Sequence, residues 1–185
     1  MTISSTRRPA TDLKIRTVGW RVAAQVWPLL VFAGVLLSMA LVWMAHSGDP
    51  VPAKMAWMML VKPATLGLVV PFALHESAHA LVLKRIRTVT HISIERTAWR
   101  TSVLPEGTMT ARQTAMVALA GPSVCAAVGA LLWLPGLDRP LAWWYLAHIV
   151  FLLPFFGDGR ALWHSFRAIG KQPAQNRCED GGQGC

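Results

Sequence analysis

The chain contains few charged side chains for its length. Asp, Glu, Lys and Arg make up 15% of its 185 residues, whereas 54% of the residues are hydrophobic. A soluble domain carries about one charged residue in four, so this composition argues against one. The hydrophobic residues cluster in four blocks that reach or approach the roughly 20 residues needed to cross a bilayer: about 22–45, 64–83, 113–134 and 141–157. We therefore predict an all-α, polytopic integral membrane protein with about four transmembrane helices.

Cysteine is scarce as well. Cys125, Cys178 and Cys185 form an odd set without the spacing of metal ligands, which excludes a disulfide framework. The N-terminal segment is not a cleavable signal peptide, because the apolar stretch that follows it is too long. We expect residues 1–20 to be a flexible cytoplasmic leader, residues 21–169 to form the transmembrane domain, and residues 170–185 to be a disordered tail.

Acidic residues are the scarcer charges, with nine against 18 Lys and Arg and a net charge of +9. Fifteen of the 18 cations fall in three segments: before the first block, between the second and third, and after the fourth. This alternation is the positive-inside pattern. It predicts cytoplasmic N and C termini and a cytoplasmic 84–112 loop in a bacterial-type cell membrane. It also makes the lipid bilayer, and not nucleic acid, the expected partner of the basic segments.

A β-like segment is expected at about residues 85–108, between the second and third blocks. Residues 88–94 alternate polar and β-branched side chains, as a strand does, and a second extended run at 99–104 ends at Pro105 and Gly107. We predict a small hairpin at the cytoplasmic membrane surface. We also predict that Lys62-Pro63 interrupts the second block, so that residues 55–62 lie along the interface before the helix begins.

The most specific motif is His75-Glu76-Ser77-Ala78-His79, an HExxH pattern. Positions i and i+4 lie on one face of a helix, so the two imidazoles can bind one Zn²⁺. The adjacent Glu76 can act as general base toward a metal-bound water. The composition gives this pattern a chance probability of about 0.4%, which makes accident a weak explanation.

A third metal ligand is needed for a hydrolytic zinc site. Of the nine acidic residues, only Glu76 and Asp158 lie inside or at the edge of the apolar blocks, where a carboxylate is costly and usually functional. The predicted topology puts Asp158 at the same depth as HExxH. We therefore predict one Zn²⁺ per chain, held by His75, His79 and Asp158, with His164 as the alternative third ligand.

These motifs together resemble those of the site-2 protease family of intramembrane metalloproteases. The resemblance covers about residues 64–165 and depends on HExxH, Gly121-Pro122, and the Pro154-x-x-x-Asp158-Gly sequence. It implies a three-helix catalytic core, two His and one Asp that bind zinc, and a catalytic Glu. It further implies a membrane-associated β-hairpin that presents a substrate as an added strand. The expected activity is a zinc metalloendopeptidase that cleaves a membrane-bound protein or peptide.

The chain departs from the family pattern at Phe151, where the family has an Asn. The distance from Pro154 to Asp158 is also one residue shorter than in the common form. Two other functions stay open: a non-hydrolytic metal-binding membrane protein, such as a transporter or sensor, and an inactive protease-like scaffold. We expect His148 to be a hydrogen-bonded packing residue and Gly121-Pro122 to allow close helix packing.

Overall fold

Long apolar helices dominate the computed structural model, which describes residues 2–9, 15–97 and 101–170. Within these ranges three strands and seven α-helices follow one another along the chain. They are β1 (Thr2–Pro9), α1 (Ile15–Ala23), α2 (Trp27–Ser47), α3 (Val51–Ala56), α4 (Val70–Arg85), β2 (Val89–Thr97), β3 (Thr101–Gly107), α5 (Ala111–Trp133), α6 (Arg139–Leu146) and α7 (Gly157–Gly170). Two π-helical segments, Trp57–Val61 and Pro63–Val69, join α3 to α4, and a 3₁₀ segment, Ala147–Leu152, follows α6.

Among the described residues, three helices are long and apolar enough to cross a membrane: Trp27–Ser47, Val51–Arg85 and Ala111–Trp133. A fourth crossing is obtained if Arg139–Leu152 and Gly157–Gly170 are counted together as one bent span. The prediction of a mostly helical chain with about four apolar spans is confirmed at this level. The fourth block is not a single straight helix, however: helical structure stops at Leu152, and the next helix, Gly157–Gly170, is inclined by 43° to Arg139–Leu152.

The second span is longer and more continuous than the sequence predicts. Helix runs from Val51 to Arg85 without a break at Lys62-Pro63, so residues 55–62 are not a separate interfacial segment. The backbone N–H groups of Lys62 and Val70 donate to carbonyls five residues earlier, at Trp57 and Thr65. These π-helical turns are wider than α-helical turns and shift the hydrogen-bond register around a proline. Because proline has no backbone N–H to donate, this shift allows the helix to continue past it.

The N-terminal residues differ from the predicted flexible leader. Thr2–Pro9 forms β1, which pairs with β2, and α1 packs against α4 with Val18 and Val22 buried. The sequence of β1 has no apolar alternation; its order comes from backbone hydrogen bonds to a neighbouring strand, which leave no pattern in side chains. Of the predicted disordered tail, residues 171–185 lie outside the described part of the chain.

The predicted hairpin is present as β2 and β3, and β1 extends it to an antiparallel sheet in the order β1-β2-β3. In the register of the hairpin, Ile92 is opposite Pro105 and Ser93 is opposite Leu104. Residues 98–100, at the tip, lie outside the described ranges. Because only three residues lie between the end of α4 and the start of β2, and α5 starts soon after β3, the sheet lies at one end of the helices, which we call the sheet end.

A small hydrophobic core joins the sheet to the helices at the sheet end. Its buried residues come from α1, α4, the turn after α4, and β2: Val18, Ala80, Leu83, Ile86, Val89 and Ile92. Leu83 and Ile92 are completely buried. This core holds the C-terminal half of α4 in place, immediately beyond the HExxH motif, while a capping box of Thr110 and Gln113 fixes the start of α5.

Candidate metal centre

The two histidines of the motif lie on one face of α4. His75 and His79 are 4% and 6% exposed, and their Nε2 atoms are 3.1 Å apart. This is the arrangement expected for residues four apart on a helix. Two imidazole nitrogens at this distance, both buried, face a common point inside the protein.

Asp158 reaches the same point from the first turn of α7. Its Oδ2 lies 3.0 Å from His75 Nε2 and 3.3 Å from His79 Nε2. The neighbouring Gly159 explains how α7 starts here, because a Cβ at that position would overlap the carbonyl oxygen of Leu153. The Asp-Gly pair thus combines a carboxylate with a residue that permits the tight turn carrying it.

Gly121 lets α5 approach the two histidines. A Cβ at this position would lie 2.7 Å from His79 Nε2 and 2.9 Å from two ring atoms of His75. Any larger residue would therefore displace the imidazoles or separate α5 from α4. The sequence predicts close packing at Gly121-Pro122; the structure shows that the close partner is the histidine pair.

The backbone of α5 also orients His79. Its Nδ1 lies 2.7 Å from the carbonyl oxygen of Val117, and because a carbonyl can only accept, we assign the proton to Nδ1. In this tautomer the lone pair is on Nε2, which faces His75 and Asp158. A hydrogen bond of this kind to the distal nitrogen is the usual support of a metal-binding histidine.

The three donor atoms fit a metal ion. Ligands of Zn²⁺ at 2.0–2.2 Å with tetrahedral angles lie roughly 3.3–3.6 Å from one another. The separations here are 3.0, 3.1 and 3.3 Å, within a few tenths of an ångström of that range. Two imidazoles and one carboxylate are also a common ligand set of catalytic zinc, which leaves a position open. His75, His79 and Asp158 could therefore hold a metal ion.

Glu76 lines the cavity into which this site opens. The cavity has a volume of about 750 Å³ and is half-open to the surface. The side chain of Glu76 is half-buried. The other lining residues are mainly apolar and come chiefly from α1, the second π-helical segment, α4, β3, α5, and α7 with the residue before it; they include Val22, Leu68, Phe72, Leu104, Val117 and Phe156. A carboxylate beside a metal-binding set in such a cavity can accept a proton from a water molecule.

The remaining histidines of interest are arranged differently. His164, the alternative third ligand, is exposed on α7. The described residues contain two potential metal-binding groups, His75-His79-Asp158 and His75-Cys125-His148, and His164 is in neither of them. His148 is 3% exposed, and its Nδ1 lies 2.9 Å from the Trp144 carbonyl oxygen, as expected for a hydrogen-bonded packing residue. It is also a neighbour of His75, with ring centroids 5.5 Å apart.

Several contributors to the site were not predicted from the sequence. The Val117 carbonyl is a backbone group, which has no signature in the sequence. Val22 and Gln25 line the cavity from the start of the block predicted to be the first transmembrane span. Phe151 packs edge-on against His75 with ring centroids 5.2 Å apart.

Comparisons with known proteins give no match: the sequence fits no family model, and it is similar to no curated protein and no solved structure. The functional interpretation therefore depends on the residues and geometry of this chain.

Proposed function

We propose that the protein is an intramembrane zinc metalloprotease, which hydrolyses a peptide bond in a membrane-inserted or membrane-proximal substrate. The observation that carries this proposal is the convergence of His75 Nε2, His79 Nε2 and Asp158 Oδ2 within 3.3 Å of one another. His75 and Asp158 are 83 residues apart in the sequence, so motif spacing alone does not account for this convergence.

In this proposal His75, His79 and Asp158 hold one Zn²⁺. The ion, when bound, supplies a Lewis acid that lowers the pKa of a water molecule and polarises a carbonyl group. Val117 and Gly121 contribute by orienting the histidines and by leaving room for them.

Glu76 is the general base. Its place beside His75 on the helix keeps it off the ligand set, since adjacent residues diverge by about 100° around the axis. The carboxylate takes a proton from a water molecule as the water oxygen forms a bond to the carbonyl carbon of the peptide. It then gives that proton to the leaving amine nitrogen as the C–N bond breaks.

The expected substrate is an extended, largely apolar segment. A helix hides its carbonyl groups in internal hydrogen bonds, so a membrane-inserted substrate must unwind locally before it can react. β1 covers one edge of β2, and β3 lies at the other edge of the sheet with Leu104 and Pro105 lining the cavity. A segment that pairs with the β3 edge would enter the cavity as an added strand.

The proposed location is a cell membrane, with the sheet end and both termini on the cytoplasmic side. The supporting observation is the distribution of Lys and Arg, most of which lie before the first apolar block, in the 84–112 loop, and after the fourth block. The site, which lies near the sheet end of α4, would then be close to the cytoplasmic surface.

The experiment compares the full-length wild type with Glu76→Gln and His79→Ala in detergent and in cells. Metal analysis of the purified proteins measures zinc per chain, and a proteomic comparison of cells identifies the membrane proteins that are cleaved. We expect Glu76→Gln to keep one zinc and lose cleavage, because only the base is removed. We expect His79→Ala to lose zinc and cleavage together.

Asp49→Asn is the matched control. It also converts a carboxylate to an amide, but it lies in the exposed loop before α3, where its Oδ1 accepts from Val51 N–H and the amide oxygen can do the same. Cleavage should be unchanged. Cleavage at the wild-type rate by Glu76→Gln would refute the proposed base.

The main competing function is an inactive, zinc-binding scaffold. The observation that favours it is Phe151, which packs against His75 and His148 and cannot donate a hydrogen bond to a developing oxyanion. The same experiment separates the two functions. A scaffold would bind zinc in the wild type while the proteomes of wild-type and Glu76→Gln cells stay identical.

A further inference from the structure

Two buried side-chain nitrogens have no hydrogen-bond partner among the described residues: His75 Nδ1 and His148 Nε2. Both side chains are at most 4% exposed. An unsatisfied buried polar atom costs about 1–3 kcal/mol, so proteins rarely keep one without a reason. Here the two unsatisfied atoms belong to neighbouring rings, one of which is in the candidate metal site.

The two nitrogens are chemically complementary. His148 Nδ1 carries the proton, because it faces the Trp144 carbonyl oxygen at 2.9 Å, and so Nε2 has a lone pair and can only accept. His75 Nε2 faces Asp158 and His79. When that nitrogen binds a metal, Nδ1 carries the proton and can only donate. The N–H group at His75 Nδ1 thus lacks an acceptor, and the lone pair at His148 Nε2 lacks a donor.

The two rings are close enough for a hydrogen bond between them, either through one water molecule or directly after a small ring rotation. Their centroids are 5.5 Å apart with a tilt of 49°. One nitrogen of each ring lies within 4.8 Å of the other and of the Cys125 sulfur. Polar atoms at such separations are typically joined by one water molecule or by a small ring rotation. Phe72 and Phe151 pack edge-on against His148, at 4.9 and 5.3 Å, and hold its ring in this position.

The Cys125 thiol is a poorer candidate than His148 as the hydrogen-bond acceptor for His75 Nδ1. Its sulfur lies 3.3 Å from the Pro71 carbonyl oxygen, to which it donates. A thiol is also a weak acceptor compared with an imidazole nitrogen. His148 is therefore the stronger acceptor near His75 in the described part of the chain.

We propose that His148 is a positioning residue for the metal centre, which accepts a hydrogen bond from His75 Nδ1, directly or through one water, and so holds His75 Nε2 toward the metal. This inference depends on the metal site of the proposed function, but not on its protease activity. It gives His75 the support that the Val117 carbonyl gives His79.

The test measures zinc affinity, by competition with a chromophoric chelator, in full-length His148→Phe, His148→Gln and Cys125→Ala. Phe fills the ring volume but cannot accept, and we expect about 10- to 100-fold weaker binding, as is usual when the outer partner of a ligand is lost. Gln places a carbonyl acceptor near the position of Nε2, so we expect it to restore affinity to within about 3-fold. Cys125→Ala should bind as the wild type does.

Cobalt substitution provides a second readout, because the visible absorption bands of Co²⁺ report ligand geometry. We expect the bands to change in His148→Phe and to return in His148→Gln. Thermal unfolding of the metal-free proteins, in which the metal–ligand bonds are absent, separates metal-site effects from packing. Wild-type affinity in His148→Phe would refute the inference, and so would a Gln variant as weak as the Phe variant. A wild type that binds zinc but cleaves nothing would refute the proposed protease and leave these affinities to decide the role of His148.

Discussion

The long helices carry one polar cluster near each end, and the two clusters differ in kind. At the sheet end, His75, His79 and Asp158 converge in a cavity. At the opposite end, Lys62 on the second span forms an ion pair with Asp138, which precedes α6. Lys62 lies 13 residues before His75, or roughly 20 Å along the helix. The far cluster is complete in itself, since a cation meets an anion and both side chains are about one-fifth exposed.

The cluster at the sheet end does not consist of one Lys or Arg paired with one carboxylate. Its three nearest atoms can all be lone-pair donors, and they lie within 3.3 Å of one another. The two imidazoles are 5% and 8% exposed, and the Asp158 side chain is 25% exposed. Like partners at that distance are held together only by a cation or by protons. The ion pair of Lys62 and Asp138 needs no further ligand, whereas the cluster at the sheet end could hold a metal ion.

The largest effect should come from removing the carboxylate of the proposed metal site. We expect Asp158→Ala to lower zinc affinity by more than about 100-fold, because a direct ligand contributes more than the outer partners whose loss costs up to that factor. Cleavage should fall below detection. Zinc per chain and chelator competition measure the effect, and wild-type zinc content in this variant would remove Asp158 from the ligand set.

A smaller effect should follow from filling the space between α5 and the histidines. Gly121→Ala adds a Cβ 2.7 Å from His79 Nε2, so the imidazoles must move and zinc affinity should fall about 10-fold or more. Alanine is the better helix former by about 1 kcal/mol, so a loss cannot come from helix propensity. Gly34→Ala, with no neighbour within 4 Å, is the control and should bind zinc normally. Equal affinities of the two variants would contradict the close approach.

The smallest effect is expected at the far cluster. Asp138→Asn keeps the oxygen that caps Leu141 N–H but breaks the pair with Lys62. We expect the free energy of unfolding to drop by about 0–1 kcal/mol, with zinc affinity unchanged. Thermal unfolding in detergent measures the first quantity and chelator competition the second. A change in zinc affinity would show that the two ends are coupled.

The pH dependence of the stability of Asp138→Asn, compared with that of the wild type, tests the ion pair further. The hydrogen bond from Lys62 lowers the pKa of Asp138 below its ordinary value of 3.8. A carboxyl with a lowered pKa in the folded protein stabilises it above the ordinary pKa, and the stabilisation disappears as the pH falls through the lowered value. The wild type and Asp138→Asn should therefore differ by a constant amount from about pH 5 to 8 and converge below about pH 4. A difference that grows on acidification would have the wrong sign.

Much of the helical architecture could be predicted because apolar runs of this length are typical of long helices that can cross a membrane. The block at 113–134 corresponds closely to α5, the block at 22–45 corresponds to α2 except for its first five residues, and the alternation in 88–94 corresponds to β2. The errors are at Lys62-Pro63, where π-helical turns carry the helix through the proline, and at Thr2–Pro9, where pairing with β2 orders a polar segment. In both places backbone hydrogen bonds determine the local structure, and side-chain patterns predict such bonds poorly.

Part of the candidate site could likewise be predicted from the sequence, and part could not. HExxH places two imidazoles one turn apart on any helix, so the spacing alone was enough to nominate His75 and His79. The approach of Asp158 from α7, the space left by Gly121, the Val117 carbonyl and the neighbouring His148 depend on how helices distant in sequence pack together. Local spacing follows from helix geometry, whereas the contacts between helices follow from packing, which no single segment encodes.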